Sequence, residues 1–149
     1  MSKEPASIRY NNPGAMWGGN KISRKWGERG NVALEDGTGQ GNHIAIFPDV
    51  VHGAAAQFDL WHHGYTGTTL KAAIRKWSGG NSSLAYMTFL EQHTGLLANA
   101  VVNDALLASP TGIKLLKAQA QWEAGKPYPM TDEQWAEAQR LVYPVKAVS

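Results

Sequence analysis

The chain has 149 residues, 43% of them apolar and 17% charged, which suits one ordinary domain with a hydrophobic core. Cysteine is absent, which excludes disulfides and thiolate chemistry, and a formal charge of +2, scattered along the chain, is too weak to argue for a nucleic-acid partner. The longest apolar stretches are too short to span a bilayer, so no membrane insertion is expected.

The opening, "MSKEPASIRYNNPG", carries no apolar run and does not read as a secretory signal. Residues 1 to 47 look irregular, because eight glycines between Gly14 and Gly41 interrupt any helical pattern. Asn31–Leu34 and His43–Phe47 are expected to be strands of a small hairpin, with "EDGTGQGN" as the loop between them.

From Asp49 the pattern turns helical. Val51, Ala54, Phe58 and Trp61 recur at spacings of three and four, with Asp49 as N-cap and Gly64 as the stop. Thr68 or Thr69 caps a second helix with Leu70, Ile74 and Trp77 on one face, ended by "SGGN". Ser82 or Ser83 opens a third, with Leu84, Met87 and Leu90 as its stripe, reaching to Gly95. Leu96–Leu107 is expected to hold a helical piece, and Pro110-Thr111 opens the helix that ends at Glu123. Thr131 and Gln134 form a capping box for the last helix, whose buried stripe is Trp135, Ala138 and Leu141. The expected fold is therefore a single, mainly α domain over residues 1–149, of α+β type, with a small irregular β segment near its start.

Glu123 is the residue that most invites a chemical explanation. On a helical wheel at about 100° per residue, Ile113, Leu116 and Ala120 share one side and Glu123 continues it, away from Lys114, Lys117 and Gln121. A carboxylate there is partly desolvated and faces the negative end of the helix dipole. Both effects disfavour the charged form and raise the pKa. A glutamic acid protonated near neutral pH is what glycoside cleavage requires, because it must hand a proton to the leaving oxygen. The alternative is a side chain that points to solvent from a frayed helix end.

Short motifs along the chain resemble known cell-wall enzymes. "LLKAQAQWEAG", residues 115 to 125, is similar to the catalytic helix end of lysozyme-like muramidases and lytic transglycosylases. "RYNNPGAMWGG", residues 9 to 19, resembles the "RNNNPGNI…W-G" opening of a set of phage-associated proteins and the "NN-FG" segment of peptidoglycan glucosaminidases. "FPDVVHGAAAQFDLW", residues 47 to 61, and "YTGTTLKAAIRKWSGGNSSLAYMTFLEQHTG", residues 65 to 95, continue the phage-type pattern. The latter also looks like the later helices of lytic transglycosylases, where a tyrosine-bearing helix borders the cleft. The Glu helix usually comes first in such chains. Here it comes near the end, so the resemblance implies a circularly permuted lysozyme-like fold, which is feasible when chain ends lie close together. Tyr10 stands where the pattern has its first Asn, and "SGGN" replaces a Pro-rich segment.

The resemblance implies a glycosidase acting on the bond between N-acetylmuramic acid and N-acetylglucosamine in peptidoglycan, with Glu123 as acid. Asn11, Asn12, Trp17, Phe47, Tyr65 and Tyr86 become candidate glycan contacts. Asn11 and Asn12 also read as turn residues before Pro13, with the resemblance favouring the glycan, and Tyr86 reads equally as packing. Trp61, Trp77 and Trp135 lie on buried stripes and belong to the core; Trp17, in a Gly-rich loop, is the better stacking platform. Glu28, Glu35, Asp36 and Asp49 are the candidates for a second acid. A transglycosylase needs none, because the muramic 6-hydroxyl attacks, and the Tyr86 helix tips the expectation that way. Adjacent His62 and His63 point about 100° apart and cannot easily share an ion; with no HExxH spacing either, no metal and no other cofactor is expected. The expected partner is the peptidoglycan strand, bound by a monomer in the periplasm or cell wall after delivery by a phage or a dedicated secretion or lysis route. The competing expectation is a non-catalytic structural or glycan-binding module of a phage particle or secretion apparatus.

Overall fold

Eight helices and four short strands make up a computed structural model that describes residues 4–33, 43–80 and 83–144. The order is α1 (Ala6–Arg9), α2 (Lys21–Lys25), β1 (Gly30–Ala33), β2 (His43–Ile46), α3 (Val50–Gly64), β3 (Thr68–Thr69), α4 (Leu70–Trp77), α5 (Ser83–Thr94), β4 (Val101–Val102), α6 (Asp104–Leu107), α7 (Pro110–Ala124) and α8 (Asp132–Val142). The fold is mainly helical, as expected from the periodicity. Among the described residues no helix is long and apolar enough to cross a membrane.

Side-chain caps set most helix starts. Asp49 caps α3, Thr69 caps α4 and Ser109 caps α7, each accepting a backbone N–H from the first turn. Thr131 and Gln134 form the expected capping box of α8. α7 stops at Gly125, whose left-handed φ of 74° suits a residue without a Cβ.

α3 packs against α8, α2 and α6; α7 packs against α5, α6, α1 and α8; α4 lies on α5. Their shared core includes Phe58, Trp61, Leu70, Ile74, Tyr86, Leu90, Leu115, Leu116 and Trp135, all fully or almost fully buried. Trp61 and Trp135 thus stay in the core, and Trp77, partly buried, stacks on Trp61 with ring centroids 5.6 Å apart. A smaller core of Met16, Ala45, Phe47 and Ala56 lies under the antiparallel β1–β2 hairpin, which pairs Gly30 with Ile46 and Ala33 with His43.

Three expectations are corrected. Leu84 and Leu141 are exposed, not buried. Both stripes were built on successive steps of three residues, and each such step falls about 60° short of a full turn. By the second step the residue has rotated about 120° off the buried face; in α8 Val142 packs against the core instead. The third correction is Leu96–Leu107, which is helical only over α6. Val101-Val102 pair antiparallel with Thr68-Thr69, while the carbonyls of Ala98 and Ala100 accept from Lys71 and Leu70, the otherwise unpaired first-turn N–H groups of α4. The glycine-rich start also holds two short helices, α1 and α2, that its composition concealed.

Candidate active site

Glu123 sits in the last turn of α7, on the face that carries Leu116 and Ala120 inward. Its side chain is partly buried, and burial pushes its pKa up from 4.5 to about 7. The acid is therefore part protonated at neutral pH, the state that the wheel argument anticipated.

Tyr86 of α5 lies beside it. Its ring is stacked on Trp122 with centroids 4.7 Å apart, and Phe89 packs against the same indole at 5.5 Å. Burial raises the Tyr86 pKa well above 10, and the neighbouring Glu123 charge raises it further. Tyr86 is only 1% exposed, so it packs in the core and not on a glycan-accessible surface. This corrects its expected role as a direct glycan contact.

Behind Tyr86 is a buried amide pair that the sequence reading did not single out. Gln57 of α3 donates from Nε2 to Gln119 Oε1 at 2.7 Å and to the Leu116 carbonyl at 3.1 Å. Trp61 Nε1 donates to the same Gln119 Oε1 at 2.9 Å. Gln119 precedes Glu123 by one helical turn, so the two share a face. The signal was available: Gln57 and Gln119 both stand among residues at apolar helical spacings.

The asparagines do structural work. Asn12 is fully buried; its Nδ2 donates to the Met16 and Ala45 carbonyls, each at 2.9 Å, and its Oδ1 accepts from Met16 N at 3.0 Å. No polar atom of the amide is left for a ligand, which corrects the expected glycan contact. Asn11 adopts a left-handed φ of 55°, a conformation asparagine tolerates, and donates to the Phe47 carbonyl at 3.1 Å. Phe47 itself is 1% exposed and belongs to the small core, so it too is withdrawn from ligand contact. The "NNPG" turn is brought against α3: Gly14 packs on Gln57, and its carbonyl accepts from Trp77 Nε1 at 3.2 Å. Tyr65 packs at a tilt against both Trp61 and Trp77, with Lys76 over its ring at 4.5 Å.

Trp17 is different. Its side chain is 61% exposed while its backbone is pinned. It bridges to Ile44, Asn20 Nδ2 donates to its carbonyl at 2.7 Å, and Gly18 N donates to the His43 carbonyl at 2.8 Å. The Glu28 carboxylate completes this clamp, accepting from Gly19 N at 2.8 and 2.9 Å, Ser23 Oγ at 2.6 Å and Asn31 Nδ2 at 3.1 Å. Burial works to raise the Glu28 pKa, but these bonds, with Arg24 nearby, together hold it below 4.5.

Of the other second-acid candidates, Asp49 caps α3 and holds the His52 ring at 2.8 Å. Burial opposes its ionisation, yet the bonds from His52 outweigh this and lower its pKa. Glu35 and Asp36 lie outside the described residues. His62 pairs with Asp104 at 2.7 Å and His63 with Asp59 at 3.2 Å. Among the described residues no three acidic or histidine side chains converge to hold a metal ion. A shallow concavity lined by Ala72, Arg75, Lys76, Gly79 and Gly80 includes no residue of α7. No protein-family model and no curated protein matches the chain.

Proposed function

We propose that this chain is a peptidoglycan glycosidase of lysozyme-like, circularly permuted architecture, with Glu123 as general acid at the bond between N-acetylmuramic acid and N-acetylglucosamine. The observation that carries the reading is one carboxyl group at the end of α7, desolvated to a pKa of about 7 and backed by Tyr86. A donor with that pKa holds its proton near neutral pH and gives it up readily to a leaving oxygen. Trp17, rigidly presented and exposed, supplies an apolar face for a sugar ring. Glu28 and Asp49 are occupied by Ser23, Gly19 and Asn31 and by His52. Among the described candidates neither carboxylate is therefore free, and with the Tyr86 helix this supports a single-acid reaction, in which the muramic 6-hydroxyl attacks and 1,6-anhydro sugars are released.

A second reading, a non-catalytic glycan-binding or structural module, draws on the concavity of α4, which Glu123 does not line. Turbidity clearing of purified cell walls separates the two. Mass analysis of the released fragments then distinguishes anhydro from reducing-end products. Walls left intact by the folded protein would sink the enzymatic reading.

A further inference from the structure

One buried charge takes no part in the chemistry proposed for Glu123. Asp59 ends an unbroken buried run that starts at Gly53 on α3, and its side chain is only 3% exposed. A carboxylate withdrawn from water is tolerated when it is paired and hydrogen-bonded. Its partners come from the far end of α2. Asp59 Oδ2 accepts from Trp26 Nε1 at 2.9 Å and lies 3.2 Å from Lys25 Nζ, whose charge sits 5.3 Å over the Trp26 ring. His63, on α3 itself, brings Nε2 to 3.2 Å from the other oxygen.

The near end of α2 holds Trp17. Asn20 caps the helix, and its Nδ2 donates to the Trp17 carbonyl at 2.7 Å. Ser23, reciprocally bonded to Asn20, donates from Oγ to the Glu28 carboxylate, which takes the Gly19 N–H. α2 has five residues, too few to persist on its own hydrogen bonds. Ile22 and Trp26 pack against the small core, but apolar contact is non-directional. β2 holds the Trp17 segment separately, through the Ile44 bridge and the Gly18–His43 bond.

We propose that Asp59 is a positioning residue for the Trp17 platform. By holding Trp26 and Lys25 it sets where α2 sits along α3, and α2 carries that placement to the backbone from which the Trp17 indole projects. The exposed ring is thereby fixed to the helical body that bears Glu123. Asp59 touches neither the glycan nor the acid. This role rests on the reading of Trp17 as a glycan contact and adds the buried charge that holds it in place.

The test uses Asp59→Asn, which keeps the shape and one acceptor but drops the charge. Amide exchange followed by nuclear magnetic resonance reads the platform directly: the Gly19 N–H should exchange about tenfold faster, while the Gly125 N–H at the end of α7 holds its rate. Affinity for purified walls is then read by sedimentation in a Glu123→Gln background, which leaves the walls intact. Asp59→Asn should weaken binding about threefold or more, and should add nothing once Trp17→Ala is present, because it acts through that ring. In the active chain KM rises and kcat holds, whereas a protein that is merely less stable loses active fraction and with it kcat. If Asp59→Asn does not fold, Trp26→Phe carries the same readouts, since it keeps an aromatic ring and removes the N–H that reaches Asp59. Unchanged Gly19 exchange, or a binding loss that adds in full to that of Trp17→Ala, overturns the role of Asp59. Faster Gly19 exchange together with wall binding that neither Asp59→Asn nor Trp17→Ala alters supports that role and overturns the Trp17 reading alone.

Discussion

Replacing Glu123 by glutamine should inactivate the protein and stabilise it. The amide keeps the shape of the side chain and cannot deliver a proton, so wall clearing should fall by about 10²–10⁴-fold. The stability effect follows from the displacement of the Glu123 pKa from 4.5 to about 7. At about 1.36 kcal/mol per pH unit, charging the buried carboxyl in the folded protein costs on the order of 3 kcal/mol. A folded pKa above the unfolded one means that the folded state binds more protons between the two values, so stability falls as pH rises through that window. The favourable contribution is fully present below about pH 4.5 and lost above about pH 7. Glutamine has no such dependence. Urea denaturation at pH 4.5 and pH 8 should therefore show the variant gaining up to about 3 kcal/mol on the parent between the two conditions. Equal pH dependence in both proteins would refute the burial argument. Wall clearing by the variant at the parent's rate would refute the acid assignment, whatever the stability result.

Glu28→Gln should keep most of its wall-clearing activity and lose about 1–2 kcal/mol of stability, since an amide cannot accept all the bonds the carboxylate takes from Gly19, Ser23 and Asn31; a loss of activity as deep as that of Glu123→Gln, with reducing-end products, would instead make Glu28 a second acid. Asn12→Ala strands the buried Met16 N–H and removes the Asn12 donor from the Ala45 carbonyl, while the Met16 carbonyl still accepts from Ala45 N, so it should lower stability by about 2 kcal/mol, measured by urea denaturation. Trp17→Ala should leave the unfolding midpoint within a degree or two, because the ring is exposed, and should raise KM for walls several-fold; unchanged KM would remove Trp17 from the glycan surface.

The helices were legible because their information is local. Asp49, Thr69 and the Thr131–Gln134 box are caps read within four residues, and they start their helices as expected. Leu84 and Leu141 misled because a run of three-residue steps resembles a stripe while drifting around the helix. β3 and β4 were not legible at all: each is two residues long, and their pairing joins Thr68-Thr69 to Val101-Val102 across the whole of α4 and α5. A pairing at that separation leaves no periodic trace.

The site divides along the same line. Glu123 could be placed on the buried face because Ala120 and Leu116 lie one and two turns before it on the same helix. The "NNPG" turn stood out as a motif, but its letters did not show whether the amides faced a ligand or the backbone. That depended on Ala45 and Phe47, more than thirty residues away, whose carbonyls take them. The direction of the Gln119 amide is more remote still, since it is imposed by Trp61 on another helix. Read alone, "AQAQWEAG" presents Gln119 as one polar residue among several on an ordinary amphipathic helix. Only when α3 places an obligate donor against its oxygen does the amide acquire a fixed sense, with its donor side left buried and unpaired. The place of Glu123 on the buried face is thus encoded locally, whereas the sense of the amide one turn before it is encoded by how α3 and α7 pack.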